Sequence, residues 1–311
     1  MNKVIAVFGP TASGKSSLAL SLAEHFGGVI ISADSMQLYQ EMDVGTAKPT
    51  KEEMKRIPHK MIDICAPSKP FSVYDYKKQA EDEIEASLKA DFVPIVAGGT
   101  GLYFDALFFN NDFGEMEVDP AIRKKLNERA NAGEGSVLLA ELYAVDPATA
   151  APLHEKDLKR IIRGLEVFYS TGKPLSYYKE LSRKGSSRFN YLKLFLNYKD
   201  RSVLYDRINR RVDMMLQNGL LEETKELLEM GCFDSPTASQ AIGYKELLPY
   251  LQGFRSLDEC VSLLKQKTRN YAKRQLTWFR RYEDAQIIWM DAGIDPLLQA
   301  KQLCEKFLQE V

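Results

Sequence analysis

Apolar and polar positions follow two regimes along the chain. In the first hundred residues, short continuous apolar runs alternate with amphipathic segments. The run Val4-Ile5-Ala6-Val7-Phe8 predicts a buried strand over 3–8, followed by a helix at about 15–26. Gly27-Gly28 breaks the pattern, and Val29-Ile30-Ile31-Ser32 reads as a second strand. A helix of alternating charge is expected over 73–90. Val93-Pro94-Ile95-Val96-Ala97 then reads as a third strand, ending in Gly98-Gly99-Thr100-Gly101 with another helix from about Leu102. Strand–helix alternation of this kind predicts an α/β fold, a parallel sheet flanked by helices.

From about residue 113 the period changes. Residues 119–170 show helical spacing without strong strands, broken at Gly133, Gly135 and Asp146-Pro147, and 171–174 and 183–187 read as loops. Strand character returns at Leu192-Lys193-Leu194-Phe195-Leu196 and once more at Gln286-Ile287-Ile288-Trp289-Met290, within an otherwise helical remainder. The expected organisation is a core domain of 1–114 and 188–311, with an all-helical insertion of 115–187.

The first strand flows directly into Gly9-Pro10-Thr11-Ala12-Ser13-Gly14-Lys15-Ser16, a complete G-x-x-x-x-G-K-[ST] phosphate loop between a strand and a helix. Its glycines let backbone N–H groups point inward at phosphate oxygens, and the following helix adds its positive dipole end. Lys15 supplies a point charge, and the Ser16 hydroxyl is suited to Mg²⁺. The chain is therefore expected to bind a diphosphate or polyphosphate on a P-loop NTPase-like sheet.

Composition changes this picture in only a few places. The 311 residues suffice for one large or two modest domains. No apolar run approaches a membrane span and the start lacks a signal-peptide pattern, so a cytoplasmic location is expected. Cys65, Cys232, Cys260 and Cys304 are scattered, and the three histidines have no ligand spacing, which argues against a disulfide framework, a zinc site or a histidine triad. The net charge of −1 hides a basic stripe: Lys265, Lys267, Arg269, Lys273, Arg274, Arg280 and Arg281 are interleaved with Tyr271, Trp278 and Phe279, and no acidic residue falls among them. The bases of a nucleic acid can stack on such aromatics while the cations reach phosphates, although Trp278 and Phe279 also suit a core.

Other candidates lie where the strands end. Asp34, after the second strand, is placed to accept a proton or hold metal-bound water; helix N-capping is the plain alternative. Thr100 can donate to a phosphate or leaving-group oxygen, or simply cap a turn. Arg207 and Arg211 share a helical face and suit bidentate phosphate contact or a solvated salt-bridge face. Lys159, Arg160 and Arg163 form a second basic cluster in the insertion, of a kind that is usually a solvated face.

Taken together the motifs resemble one family, the tRNA dimethylallyltransferases, in their short bacterial form. The resemblance rests on 9–16, Asp34-Ser35-Met36-Gln37, Asp43-Val-Gly-Thr-Ala-Lys-Pro49, Gly98-Gly-Thr-Gly-Leu-Tyr103, Gln240-Ala-Ile-Gly-Tyr-Lys-Glu246 and Tyr271-Ala-Lys-Arg-Gln-Leu-Thr-Trp-Phe-Arg280, in order, from residue 4 to about 281. It implies transfer of a dimethylallyl group from dimethylallyl diphosphate to N6 of adenosine 37 of tRNA, with Mg²⁺ as cofactor, by a monomeric enzyme. On this resemblance Asp34 is the base and Thr100 lies near the bridging oxygen. Residues 9–16 and Arg207 hold the diphosphate, with Arg211 the competing choice, and Ser16 meets the metal. The tRNA contacts implied are Asp34, Ser35, Met36, Gln37, Thr100, Arg123, Lys159, Arg160, Ile161, Ile162, Arg163, Lys273 and Arg274. The insertion would clamp the anticodon stem-loop over a base flipped out of its stack.

Three other readings fit parts of the pattern. A small-molecule P-loop kinase would use the same loop, Mg²⁺ and Asp34, but leaves the stripe and the insertion without a task. An adenylate dimethylallyltransferase acting on free nucleotide would not need the stripe. A non-catalytic nucleic-acid-binding switch would not need Asp34 or Thr100.

Overall fold

A computed structural model of the chain describes residues 2–109, 119–184, 187–234 and 238–310. It divides into two compact units, Met1–Phe104 with Phe189–Val311, and Asp105–Arg188. The division falls about ten residues before the expected start of the insertion, inside a helix, because the apolar run after Thr100 continues helical through Phe108.

In the first unit the apolar runs form the strands β1 (Lys3–Phe8), β2 (Gly28–Ala33), β3 (His59–Lys60), β4 (Val93–Gly98), β5 (Asn190–Asn197) and β6 (Gln286–Trp289). They make one sheet, all parallel, in the order β3-β2-β4-β1-β5-β6. β1 and β2 are buried along their whole length, which is why they read as unbroken apolar runs rather than alternating ones. Between them lie α1 (Lys15–Phe26), α2 (Lys51–Arg56), α3 (Val73–Lys89) and the start of α4 (Gly101–Phe108). α2 and β3 have no counterpart in the expected pattern: α2 buries no residue and β3 is two residues long, so neither leaves a periodic signal.

The register at the carboxyl ends of β2 and β4 is tight. Ala33 pairs with Gly98, and a Cβ on Gly98 would lie 2.1 Å from the Ala33 carbonyl oxygen. One side of the core is formed by Ile5, Val7, Leu22, Ile95, Leu194 and Ile288. Phe8 leads an aromatic group with Phe104, Phe195, Phe279 and Tyr282, at centroid distances of 5.0–5.7 Å from Phe8. Phe279 is fully buried, so of the stripe aromatics it serves the core.

The rest of the chain is helical. The second unit holds α5 (Pro120–Asn131), α6 (Gly135–Val145), α7 (Pro147–Ala150), α8 (Leu158–Thr171) and α9 (Leu175–Lys184) around Leu126, Leu138, Leu142, Ile161, Ile162 and Leu165. After β5 come α10 (Arg201–Gln217), α11 (Leu220–Glu229), α12 (Leu248–Leu251), α13 (Leu257–Phe279) and, after β6, α14 (Pro296–Gln309). Among the described residues no helix is long and apolar enough to cross a membrane. The contact at Gly98 gives a direct test of the register: Gly98→Ala is expected to cost about 2 kcal/mol or more through overpacking. It would appear as a lower urea midpoint at unchanged slope; an unchanged midpoint would contradict the contact.

Candidate active site

Three turns leave adjacent strands at the carboxyl edge of the sheet, where ligands of such folds bind. The first is the phosphate loop. Ala12 and Gly14 take left-handed backbone, φ +62° and +92°, which turns successive N–H groups to one side. Gly14 caps α1 without a side-chain hydrogen bond, and no acidic residue stands in the first turn. The opening amides of the helix thus keep their capacity for an anion. Arg207 Nε donates to the Ala12 carbonyl at 2.9 Å, so the guanidinium braces the loop at its left-handed residue. Lys15 Nζ arches back to the Pro10 carbonyl at 3.1 Å. Burial lowers its pKa to about 8, the neighbouring Arg211 adds to that, and the Asp34 charge opposes both.

The second turn carries Asp34. No helix begins at Asp34, so it does not serve as a helix N-cap; Oδ1 accepts from the Met36 N–H at 3.0 Å in a local turn. The third turn carries Thr100, whose Oγ1 accepts from the Ser35 N–H at 2.9 Å and lies 3.3 Å from Ser35 Oγ. Thr100 therefore reaches across to the Asp34 turn rather than only closing its own. Gln37 is engaged within the fold: its Oε1 accepts from Ser32 Oγ at 2.9 Å, and its Nε2 donates to the Thr46 and Ala47 carbonyls, both at 3.3 Å.

Two cavities open beside these turns. The larger, of about 710 Å³, is lined by Lys15, Ser16, Lys48, Arg207, Arg211 and Met215, among others. The smaller, of about 190 Å³, is lined by Asp34, Arg211, Met215, Ile242, Leu264 and Tyr271, among others. Arg211 and Met215 belong to both. Burial lowers the pKa of Arg211, and Asp34 opposes that shift. The two candidate arginines thus differ in place: Arg207 lies on the phosphate loop, and Arg211 stands between the two cavities near Asp34.

The loop that separates the cavities is held by a residue with no sequence signature. Glu223 on α11 accepts from the N–H groups of Asp43, Val44 and Gly45 at 3.0, 2.7 and 2.9 Å, and from the Tyr244 hydroxyl at 2.7 Å. Gly45 is required because a Cβ there would lie 2.3 Å from the Tyr244 ring. These contacts give physical content to the Asp43–Pro49 and Gln240–Glu246 motifs. Lys48 adds a buried cation that donates to the Tyr39 carbonyl at 2.7 Å and to Asp43 at 2.6 Å, and it also pairs with Asp63.

The basic clusters sort by exposure. On α13, Lys267, Lys273 and Arg274 are exposed, as are Arg280 and Arg281 just after it. Arg269 donates to Asn209 Oδ1 at 2.6 Å and Lys265 pairs with Asp213 at 2.6 Å, so these two are tied to α10. In the second unit Lys159 and Arg160 are exposed. Arg123 and Arg163 converge on the buried Glu166, at 2.7 and 2.8 Å. Ile161 and Ile162, within the same run, are 0% and 6% exposed and pack in the core of this unit on the inward side of α8.

The fold and this rim define a P-loop protein with a carboxylate, a lysine, a threonine and two arginines gathered at its anion site. A family model described as "IPP transferase" matches residues 37–282, and one described as "Isopentenyl transferase" matches residues 2–64. A tRNA dimethylallyltransferase of a Thermoanaerobacter strain is 47% identical over 290 residues, covering 93% of this chain and 92% of its own. The full-length tRNA isopentenylpyrophosphate transferase of Bacillus halodurans superposes with a TM-score of 0.74 at 38% identity, covering 99% of this chain and 97% of that one. A eukaryotic dimethylallyltransferase captured acting on tRNA superposes with a TM-score of 0.83 at 29% identity, covering 99% of this chain and 80% of that one. The chain belongs to the IPP transferase family, that of the tRNA dimethylallyltransferases.

Glu223 supplies the test of the site's construction. Glu223→Ala leaves three backbone N–H groups and the Tyr244 hydroxyl without their acceptor. Hydrogen exchange at Val44 and Gly45 is expected to rise by about tenfold or more while exchange in β1 and β4 stays unchanged. Uniform exchange across the core would show global loosening instead.

Proposed function

We propose that the chain transfers the dimethylallyl group of dimethylallyl diphosphate to N6 of the adenosine at tRNA position 37, giving N6-dimethylallyladenosine and diphosphate. The observation that carries this is the gathering of Lys15, Asp34 and Arg211 on two adjoining cavities, with Thr100 hydrogen-bonded to the turn that carries Asp34.

The diphosphate lies in the larger cavity, on the amides at the Gly14–Ser16 end of the phosphate loop, with Lys15 and Arg207 on its oxygens. Arg211, on the side toward Asp34, meets charge developing on the departing oxygen. The adenine enters the smaller cavity against Tyr271, Ile242 and Leu264, which requires the nucleotide to leave its stack. As N6 bonds to C1 of the allyl group, the C1–O bond breaks and its electron pair leaves with the diphosphate. The proton of the exocyclic amine passes to Asp34. Thr100, now donating weakly toward Ser35 Oγ, turns its hydroxyl to the leaving oxygen.

Magnesium fits the donor set. Ser16 offers a hydroxyl on the larger cavity, and among the described residues no cluster of three or more His, Cys, Asp or Glu forms a protein cage. That is the usual state of an ion that relies on substrate phosphate oxygens and water. When bound it neutralises charge on the diphosphate.

tRNA is held through Lys273 and Arg274 in the first unit, and through Arg123, Lys159, Arg160 and Arg163 in the second. Glu166 orients Arg123 and Arg163 so that each presents its remaining donors. Ser35 and Met36 lie beside the adenine, and Gln37 shapes that wall from within. The enzyme acts as a monomer, in the cytoplasm where its tRNA is.

Asp34→Ala is expected to lower turnover by roughly two orders of magnitude or more, the range of a general base, with tRNA affinity unchanged. Normal turnover would remove Asp34 from the chemistry. Charge reversal at both Lys273 and Arg274 is expected to weaken tRNA binding and to reduce the slope of log affinity against log salt by about two. An unchanged slope would take this face out of the interface.

A further inference from the structure

Gln275 sits on α13 directly after the exposed Lys273 and Arg274, but its side chain turns inward and is 5% exposed. Oε1 accepts from the Thr11 N–H at 2.8 Å, and Nε2 donates to the Gly99 carbonyl at 2.8 Å. The orientation of the amide is fixed by chemistry, since a backbone N–H only donates and a carbonyl only accepts. One planar amide therefore spans the phosphate loop and the turn that carries Thr100. The Thr11 N–H is thereby committed to Gln275. Gly99 is what admits the amide: a Cβ there would lie 2.4 Å from Gln275 Nε2. The same position is 3.5 Å from Lys15 Cε and 3.6 Å from Lys15 Nζ, so the turn is also the wall behind that lysine. Burial pushes the Tyr271 phenol well above its usual range and the Asp34 charge adds to this, while hydrogen bonding with Thr100 and Gln275 opposes it.

We infer that Gln275 is a positioning residue for the transfer, holding the loop of Lys15 and the turn of Thr100 in register from the same helix that carries the basic stripe. It touches neither substrate. A shift of these two turns relative to each other would separate the leaving-group cation from the hydroxyl that meets the bridging oxygen, without removing either. The inference rests on the proposed roles of Lys15 and Thr100.

Gln275→Met keeps the length of the side chain and deletes both hydrogen bonds. It is expected to lower kcat per folded enzyme by about tenfold or more, with KM for dimethylallyl diphosphate and tRNA affinity changed less than about threefold. A merely structural glutamine would lower the melting temperature and leave kcat per folded enzyme intact, which overturns the inference. A loss that follows weakened tRNA binding overturns it as well, by making Gln275 part of the RNA surface. Gly99→Ala tests the same link with the glutamine present, because the new methyl displaces the amide. The double variant Gly99→Ala/Gln275→Ala is expected to lose no more than Gly99→Ala alone, since both changes break one connection. Losses that multiply would overturn the link. Lys15→Ala and Thr100→Ala separate the two levels: if both retain kcat, the proposed roles fail. If both lose it while the Gln275 and Gly99 variants do not, only the positioning role falls.

Discussion

The pairing of β4 between β1 and β2 is the constraint on which the rest of the site depends. Parallel strands release their turns at one edge, and these three are neighbours, so the phosphate loop, the Asp34 turn and the Thr100 turn emerge side by side. The closest point is Gly98 against Ala33, where there is no room for a methyl group. Two strand spacings set the phosphate loop, the Thr100 hydroxyl and the Asp34 carboxylate along one edge. The helices then specialise the edge: α10 brings the two arginines, α11 holds the loop between the cavities, and α13 joins the core to the basic surface.

Charge at this edge is balanced locally. Burial and then the Arg211 charge disfavour the charged Lys15, burial disfavours the charged Arg211, and Asp34 offsets both. A kinase also needs cations on its phosphates. Here, however, Arg211 lines both cavities and feels the Asp34 charge, an arrangement that suits the proposed reaction, in which C–O cleavage and amine deprotonation occur at adjoining positions. The smaller cavity sets Ile242, Leu264, Met215 and Tyr271 beside Asp34 and Arg211.

Much of this was legible in the chain because the signals are local. The buried strands announce themselves as apolar runs, the phosphate loop is eight consecutive residues, and the resemblance of the motifs to the tRNA dimethylallyltransferases agrees with the family found by comparison. What escaped is non-local or unperiodic. Glu223 acts on residues 178 to 180 positions earlier, and Gln275 on one 264 positions earlier, each through a side chain of an ordinary polar type. α2 and β3 are too short or too exposed to leave a pattern. Ile161 and Ile162 stand inside a contiguous basic run, whereas α8 turns their side chains inward. Phe279, in the basic stripe, is core, one of the two places the sequence allowed it.

The central claim is that the phosphate loop releases a diphosphate and transfers no phosphoryl group. The most direct measurement incubates the protein with Mg²⁺, dimethylallyl diphosphate labelled in its alkyl group and unmodified tRNA, with parallel reactions holding AMP, or ATP labelled in its γ-phosphate. The account predicts alkyl label in tRNA, mapping to the adenosine beside the anticodon, and none in AMP. Label in AMP alone, or consumption of the ATP γ-phosphate without alkyl transfer, would contradict it.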